Sequence, residues 1–125
     1  MAIAASPAQF AEVMDPQEVL EWTIPCAPIL ELGEQIDTFD VALYAEATAL
    51  GLTVLGTGDG YPDPALSNNN QDIVLWTKID DAYQGNAAFD GAGTALPANV
   101  HIVTNAAYPR ERNRDIQWQV SQRGQ

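Results

Sequence analysis

The chain has 125 residues, 46% of them apolar, and a formal net charge of -12. That length fits one domain, 1–125, able to bury about two-thirds of its unfolded surface, and the apolar content argues against intrinsic disorder. The charge repels nucleic-acid phosphates and anionic membranes and favours basic proteins or divalent cations.

No stretch approaches the roughly 20 apolar residues of a membrane span. The start, "MAIAASPAQFAEV", lacks the positive residues and long apolar run of a secretory signal. A single cysteine, Cys26, cannot close an internal disulfide and gives no sign of an oxidising compartment. A soluble cytoplasmic protein is expected, unless it leaves the cell inside a larger particle.

In chain order, Ser6 to Gln9 reads as a helix start. Ser6 can cap, Pro7 suits the first helical position, and Gln9 completes a capping box. "DPQEVLEW" repeats the device with Asp15, Pro16 and Glu18. Pro16 disfavours helix at Asp15, so two short helices with a corner are expected, with Phe10, Val13, Met14 and Leu20 facing the core. "TIPCAPIL", with Pro25 and Pro28, predicts irregular extended chain, and Cys26 reads as a small buried apolar residue. In "DTFDVALYAEATALG" the Ala, Leu and Glu content and Gly51 favour helix, although Phe39, Val41, Leu43 and Ala45 also alternate as a strand does. Helix is the preferred reading of residues 38–50.

From Leu52 the signals turn to β. "LTVLG", "DIVLWTKID", "VHIVTN" and "DIQWQVS" read as strands, the last with Ile116, Trp118 and Val120 on one face. Two long loops are expected, 56–71 crowded with turn formers and 84–99 rich in Gly and Ala, and loops of that length usually carry interactions. The expected fold is α+β: short N-terminal helices, then a mainly antiparallel β domain with long loops and an extended C-terminal arm. An all-β sandwich or barrel is the alternative.

Few residues suggest chemistry. "GTGDG" fails the dinucleotide fingerprint, since Tyr61 stands where a third Gly belongs, and it lacks the Lys-Ser/Thr of a phosphate loop. Asp59, Asp63 and Asp72, with Asn68 and Asn70, are oxygen donors suited to calcium, but their order matches no helix-loop-helix site and the closing Glu is missing. They make a weak calcium candidate, and no metal or other cofactor is expected. One histidine, His101, is too few for a zinc site, and no nucleophile motif accompanies it. Catalysis is not expected. Trp22, Trp76 and Trp118, with Tyr61, could form a sugar-binding platform, but strand-like alternation at Trp76 and Trp118 favours packing.

Charge is distributed unevenly. Upstream of Lys78 there is no Lys or Arg, against 12 acidic residues. Glu12, Asp15, Glu18 and Glu21 are spaced by three, as are Glu31, Glu34, Asp37 and Asp40, which suggests an acidic docking surface. Four of the five basic residues are Arg110, Arg112, Arg114 and Arg123. In an extended segment Arg110, Arg112 and Arg114 share a face with Ile116, Trp118 and Val120. Such a segment would suit an arm that adds to a sheet edge and clamps carboxylates, so these six residues are the expected interface. Residues 1–9 and 109–125 are the candidate arms.

The arm-like termini "AIAASPAQF" and "RDIQWQVSQRGQ", the loop "FDGAGTALPAN" and the scarcity of catalytic residue types resemble small accessory proteins of tailed-bacteriophage virions, such as capsid cement (decoration) proteins or head-tail adaptors. The resemblance implies a non-catalytic virion component, assembled in the host cytoplasm, whose partners are copies of itself and other virion proteins. Neither membrane nor direct nucleic-acid binding is expected. The alternative is an acidic module that mimics DNA and occupies a basic nucleic-acid-binding protein.

Overall fold

The computed structural model describes residues 8–122. Ser6, Pro7 and Arg123 lie outside them, so the first helix start and the last arginine have no structural account. Eight strands form: β1 (Ala8–Met14), β2 (Leu20–Pro25), β3 (Ile36–Leu43), β4 (Leu52–Val54), β5 (Ala65–Ser67), β6 (Asp72–Ile79), β7 (Thr94–Thr104) and β8 (Glu111–Val120). One short α-helix, α1 (Ala45–Thr48), and four single-turn 3-10 helices interrupt them.

The expected α+β fold with N-terminal helices is therefore wrong: the chain is mostly strand, in two sheets. One sheet runs β1-β8-β7-β3. In the other, β6 pairs with β2 along one edge and with β4 and β5 in turn along the other. β1 lies parallel to β8, with a bulge between Gln9 and Val13, whereas the other pairings are antiparallel.

The capping signals at Asp15 are real but local. The Asp15 N–H donates to the Glu18 carboxylate at 2.7 Å, and the Asp15 carboxylate accepts from the Gln17 N–H at 2.9 Å. These bonds close a tight turn between β1 and β2 instead of opening a helix. Tertiary pairing outweighs the propensity on either side, because β1 gains a ladder with β8 and buries Met14. Residues 36–43 likewise go to strand. Phe39, Val41 and Leu43 turn inward, and only Ala45–Thr48 is helical before Gly51, whose φ of +87° ends it. β7 starts at Thr94, inside the segment expected to be loop.

Alternation places the core between the sheets. Leu96, Ala98, Val100 and Ile102 of β7 face Ile73, Leu75 and Ile79 of β6 as one buried cluster. At its β1–β2 side Trp118 stacks on Phe10, centroids 5.2 Å apart, and meets Trp22 edge-on at 6.4 Å. The Trp22 indole N–H donates to the Thr77 hydroxyl at 2.8 Å, whereas the Trp118 indole N–H has no partner among the described residues.

Ile116, Trp118 and Val120 are thus core residues of their own chain, and their side chains are not available as interface anchors. β8 is a central strand, not a free arm. Trp118→Ala is expected to cost roughly 3–5 kcal/mol, a large share of a typical 5–15 kcal/mol stability. Urea unfolding of the single chain checks this, and an unchanged midpoint would refute the core assignment.

Candidate functional site

The densest polar construction lies at the end of the sandwich where the 26–35 loop, the 68–71 turn and the β7–β8 hairpin meet. Arg110, just before β8, donates through Nε and Nη2 to the two oxygens of Glu34, each at 3.0 Å, and its Nη1 lies 3.4 Å from Glu31. Two parallel bonds fix the planes of both groups. Glu34 is only 7% exposed, and the Arg110 hydrogen bonds hold its carboxyl down at about 2. The backbone N–H of Glu31 adds a further bond at 2.8 Å.

Beside the clamp, Gln35 and Asn105 exchange hydrogen bonds through backbone and side chain. Gln35 also donates through Nε2 to the carbonyl and side-chain oxygens of Asn69. Asn68, Asn69 and Asn70 all have positive φ, of 52°, 56° and 57°. Asparagine tolerates this region better than most residues, but three in a row require the surroundings to hold them. Here the Gln35 side chain and the Ile36 N–H, which donates to the Asn70 carbonyl, do so.

On this braced base sit two apolar side chains with little cover. Leu32 is fully exposed at 107% and Tyr108 is 90% exposed. Leu32 occupies the tip of the 31–34 turn, where Gly33 takes a φ of +82°. A shallow depression of about 290 Å³ adjoins it, lined by Ala27, Leu30, Glu31, Gly33 and Gln71 with Leu32 itself. Sequence reasoning missed both residues. The available signals were "ELGE", a leucine between acids at a glycine turn, and "YP" before the arginines.

The remaining arginines divide. Arg112 is exposed and makes no hydrogen bond or ion pair among the described residues, whereas Arg114 is half-buried and its Nη1 donates to the Pro25 carbonyl at 2.8 Å. Arg114 closes one side of a cavity of about 110 Å³ between the edges of the two sheets, with Gln9, Phe10, Ile24, Pro25 and Ile116. Cys26, nearby, is buried, and burial pushes its thiol up to about 11, which favours the protonated, packed form.

The carboxylates expected to share one docking surface do not. Glu21 faces out from the β2–β6 sheet and Asp40 from the opposite face of the molecule, across from His101. Asp15 and Glu18 close the β1–β2 turn, Glu31 and Glu34 hold Arg110, and Glu12 and Asp37 are exposed on β1 and β3. A spacing of three aligns side chains on neither of the pleated strands nor across turns. In the calcium candidate, Asp59 accepts from the Gly56 N–H and Asp63 from the Thr57 N–H, while Asp72 begins β6. Among the described residues, no three His, Cys, Asp or Glu side chains gather as a metal site.

His101 lies on the outer face of the β1–β8–β7–β3 sheet. Its Nδ1 is 2.9 Å from the Asn113 side-chain oxygen and its Nε2 is 2.9 Å from Glu111. The imidazolium, donating from both nitrogens, satisfies both acceptors. The bonds to Asn113 and then Glu111 raise its pKa, with Asp40 adding to the effect. Next to it, Asp115 accepts from Asn99 at 3.0 Å and from Tyr44 at 2.7 Å, which lowers the Asp115 pKa.

The chain matches no protein-family model, no curated protein and no solved structure. Among the described residues, no helix is long and apolar enough to cross a membrane.

The clamp and the histidine give pH effects of opposite sign. The Glu34 pKa is depressed, so its contribution to stability is present above the ordinary value of 4.5 and is lost as pH falls through about 2. Arg110→Met is expected to move the acid-unfolding midpoint to higher pH, as monitored by circular dichroism; an unmoved midpoint would mean the clamp contributes nothing. The His101 pKa is raised, so its contribution is complete below 6.5 and lost as pH rises through the higher folded value. Since the chain has one histidine, a single imidazole resonance should titrate above 6.5 by NMR and shift down in Glu111→Gln.

Proposed function

We propose that this protein is a non-catalytic assembly component, of the kind that cement or neck proteins represent in tailed-phage virions, and that it associates with copies of itself through the braced end of the sandwich. The observation that carries this reading is the exposure of Leu32 and Tyr108 on loops fastened together by the Arg110–Glu34 clamp. A fully exposed leucine on a rigid turn costs solvation without contributing to the core, and burying it in a contact recovers about 1.5–3 kcal/mol. Rigid loops lose little entropy on docking.

The depression beside Leu32 supports a contact between like surfaces, since a two-fold axis would set each Leu32 against the hollow of the other copy. Arg112, exposed and unpaired among the described residues, stands near enough in sequence to the clamp to meet a carboxylate of the second copy. The contact thus keeps the arginine-carboxylate logic of the C-terminal segment but moves its apolar part from β8 to the loops.

Because residues 111–120 form a central strand, surface substitution tests the contact without disturbing the core. Absolute mass by light scattering is expected to exceed the 13.5 kDa of one chain and to return to it in a Leu32→Ser/Tyr108→Ser variant whose circular dichroism spectrum stays native. A monomeric native protein, or an oligomer indifferent to the double substitution, would overturn the reading.

A further inference from the structure

We propose that the outer face of the β2–β6 sheet binds a neutral oligosaccharide, with Trp76 and Tyr61 as its stacking platform. This site is separate from the braced end and does not rest on the assembly reading. The four aromatic residues that could have formed one platform divide in the fold: Trp22 and Trp118 are buried with the core, whereas Trp76 and Tyr61 meet outside it, each half-buried.

Trp76 points away from the core between the inward Leu75 and Thr77. Along that edge of β6, β4 pairs only with residues 77–79 and β5 only with residues 72–74. Trp76 therefore sits at the gap where the chain leaves the sheet between the two short strands. The excursion folds back and lays Tyr61 on Trp76, with centroids 5.3 Å apart and planes at 41°.

The loop is fixed from within. The Gly56 N–H donates to Asp59 at 3.1 Å, the Thr57 N–H to Asp63 at 2.9 Å, and the Tyr61 N–H to the Gly56 carbonyl at 3.2 Å. Two carboxylates and a glycine turn together hold one tyrosine ring in place. A site ordered in advance loses little entropy when a ligand arrives.

The chemistry of the surroundings selects the ligand. The two rings touch, so they leave no slot to take a proline ring between them, and the partly exposed ring area that remains suits the C–H face of a pyranose. Glu21 lies directly across from Trp76 and Thr23 across from the neighbouring Val74, whereas the Lys78 ammonium two residues along is paired with Asp81 at 3.3 Å. A carboxylate and a hydroxyl beside an aromatic platform match a ring of hydroxyls, each of which donates and accepts. Nucleobases also stack on such rings, but a net charge of -12 repels their phosphates, whereas a neutral polyol is not repelled.

The test is isothermal calorimetry of the full chain with cellohexaose, xylohexaose and chitohexaose in turn, up to millimolar concentration. Saturable binding of at least one is expected, weakened tenfold or more by Trp76→Ala and also by Tyr61→Ala, with circular dichroism confirming that both variants fold. Glu21→Gln keeps the platform and should weaken the same sugar by a smaller factor. No saturable heat with any of the three would overturn the proposal, as would binding indifferent to both ring substitutions. Binding of a proline-rich basic peptide at Trp76 with no sugar binding would overturn it too, and so would an oligomer that Trp76→Ala dissociates. Loss of self-association in the Leu32 and Tyr108 variant leaves the expected sugar binding intact, so the two readings fail separately.

Discussion

Everything else in this fold depends on the stacking of Trp118 against Phe10 and Trp22 between the sheets. Trp118 belongs to the strand next to the edge of one sheet, Phe10 to that edge and Trp22 to the edge of the other sheet. Joining them ties both sheets together alongside the β1–β2 turn. The cost is a buried indole N–H without a partner, of the order of 1–3 kcal/mol. Burial of the three aromatic rings outweighs that cost, so the indole N–H is left without a partner among the described residues.

Much of the β content was legible. "DIVLWTKID" and "DIQWQVS" have period-two alternation that survives in β6 and β8, and the inward set Ile116, Trp118 and Val120 was readable from spacing alone. The N-terminal strands were not, because their local signals specify turns and are silent about neighbours. Asp15, Pro16 and Glu18 do make a capping arrangement, but the conformation on either side of it is decided by β6 and β8, far away in sequence. The same holds for residues 36–43, where Ala and Leu propensity yields to pairing with β7.

The candidate sites were less legible than the fold. A period of three among carboxylates has meaning only on a regular helix, and here the residues fall on strands and turns that face different ways. Arg112 and Arg114 fall in β8 and Arg110 just before it, and which of them would be engaged depended on contacts that spacing does not encode. Arg110 meets Glu34 across 76 positions and Arg114 meets the Pro25 carbonyl across 89. Leu32 and Tyr108 escaped notice since lone apolar residues in loops are common, and only burial distinguishes the fully exposed ones.

The parallel pairing of β1 with β8 bears on the order of events during biosynthesis. Gln9 and Gln117 bond across 108 positions, so the first described strand has no ladder partner until nearly the whole described chain has left the ribosome. At about 5–20 residues per second that interval lasts several seconds, far longer than hairpin formation. During it Phe10 and Met14 stay without the cover that β8 brings, and an unpaired strand carrying apolar side chains invites mispairing. The β7–β8 hairpin is the local element that ends the wait, which makes its closure the natural gate to the native state.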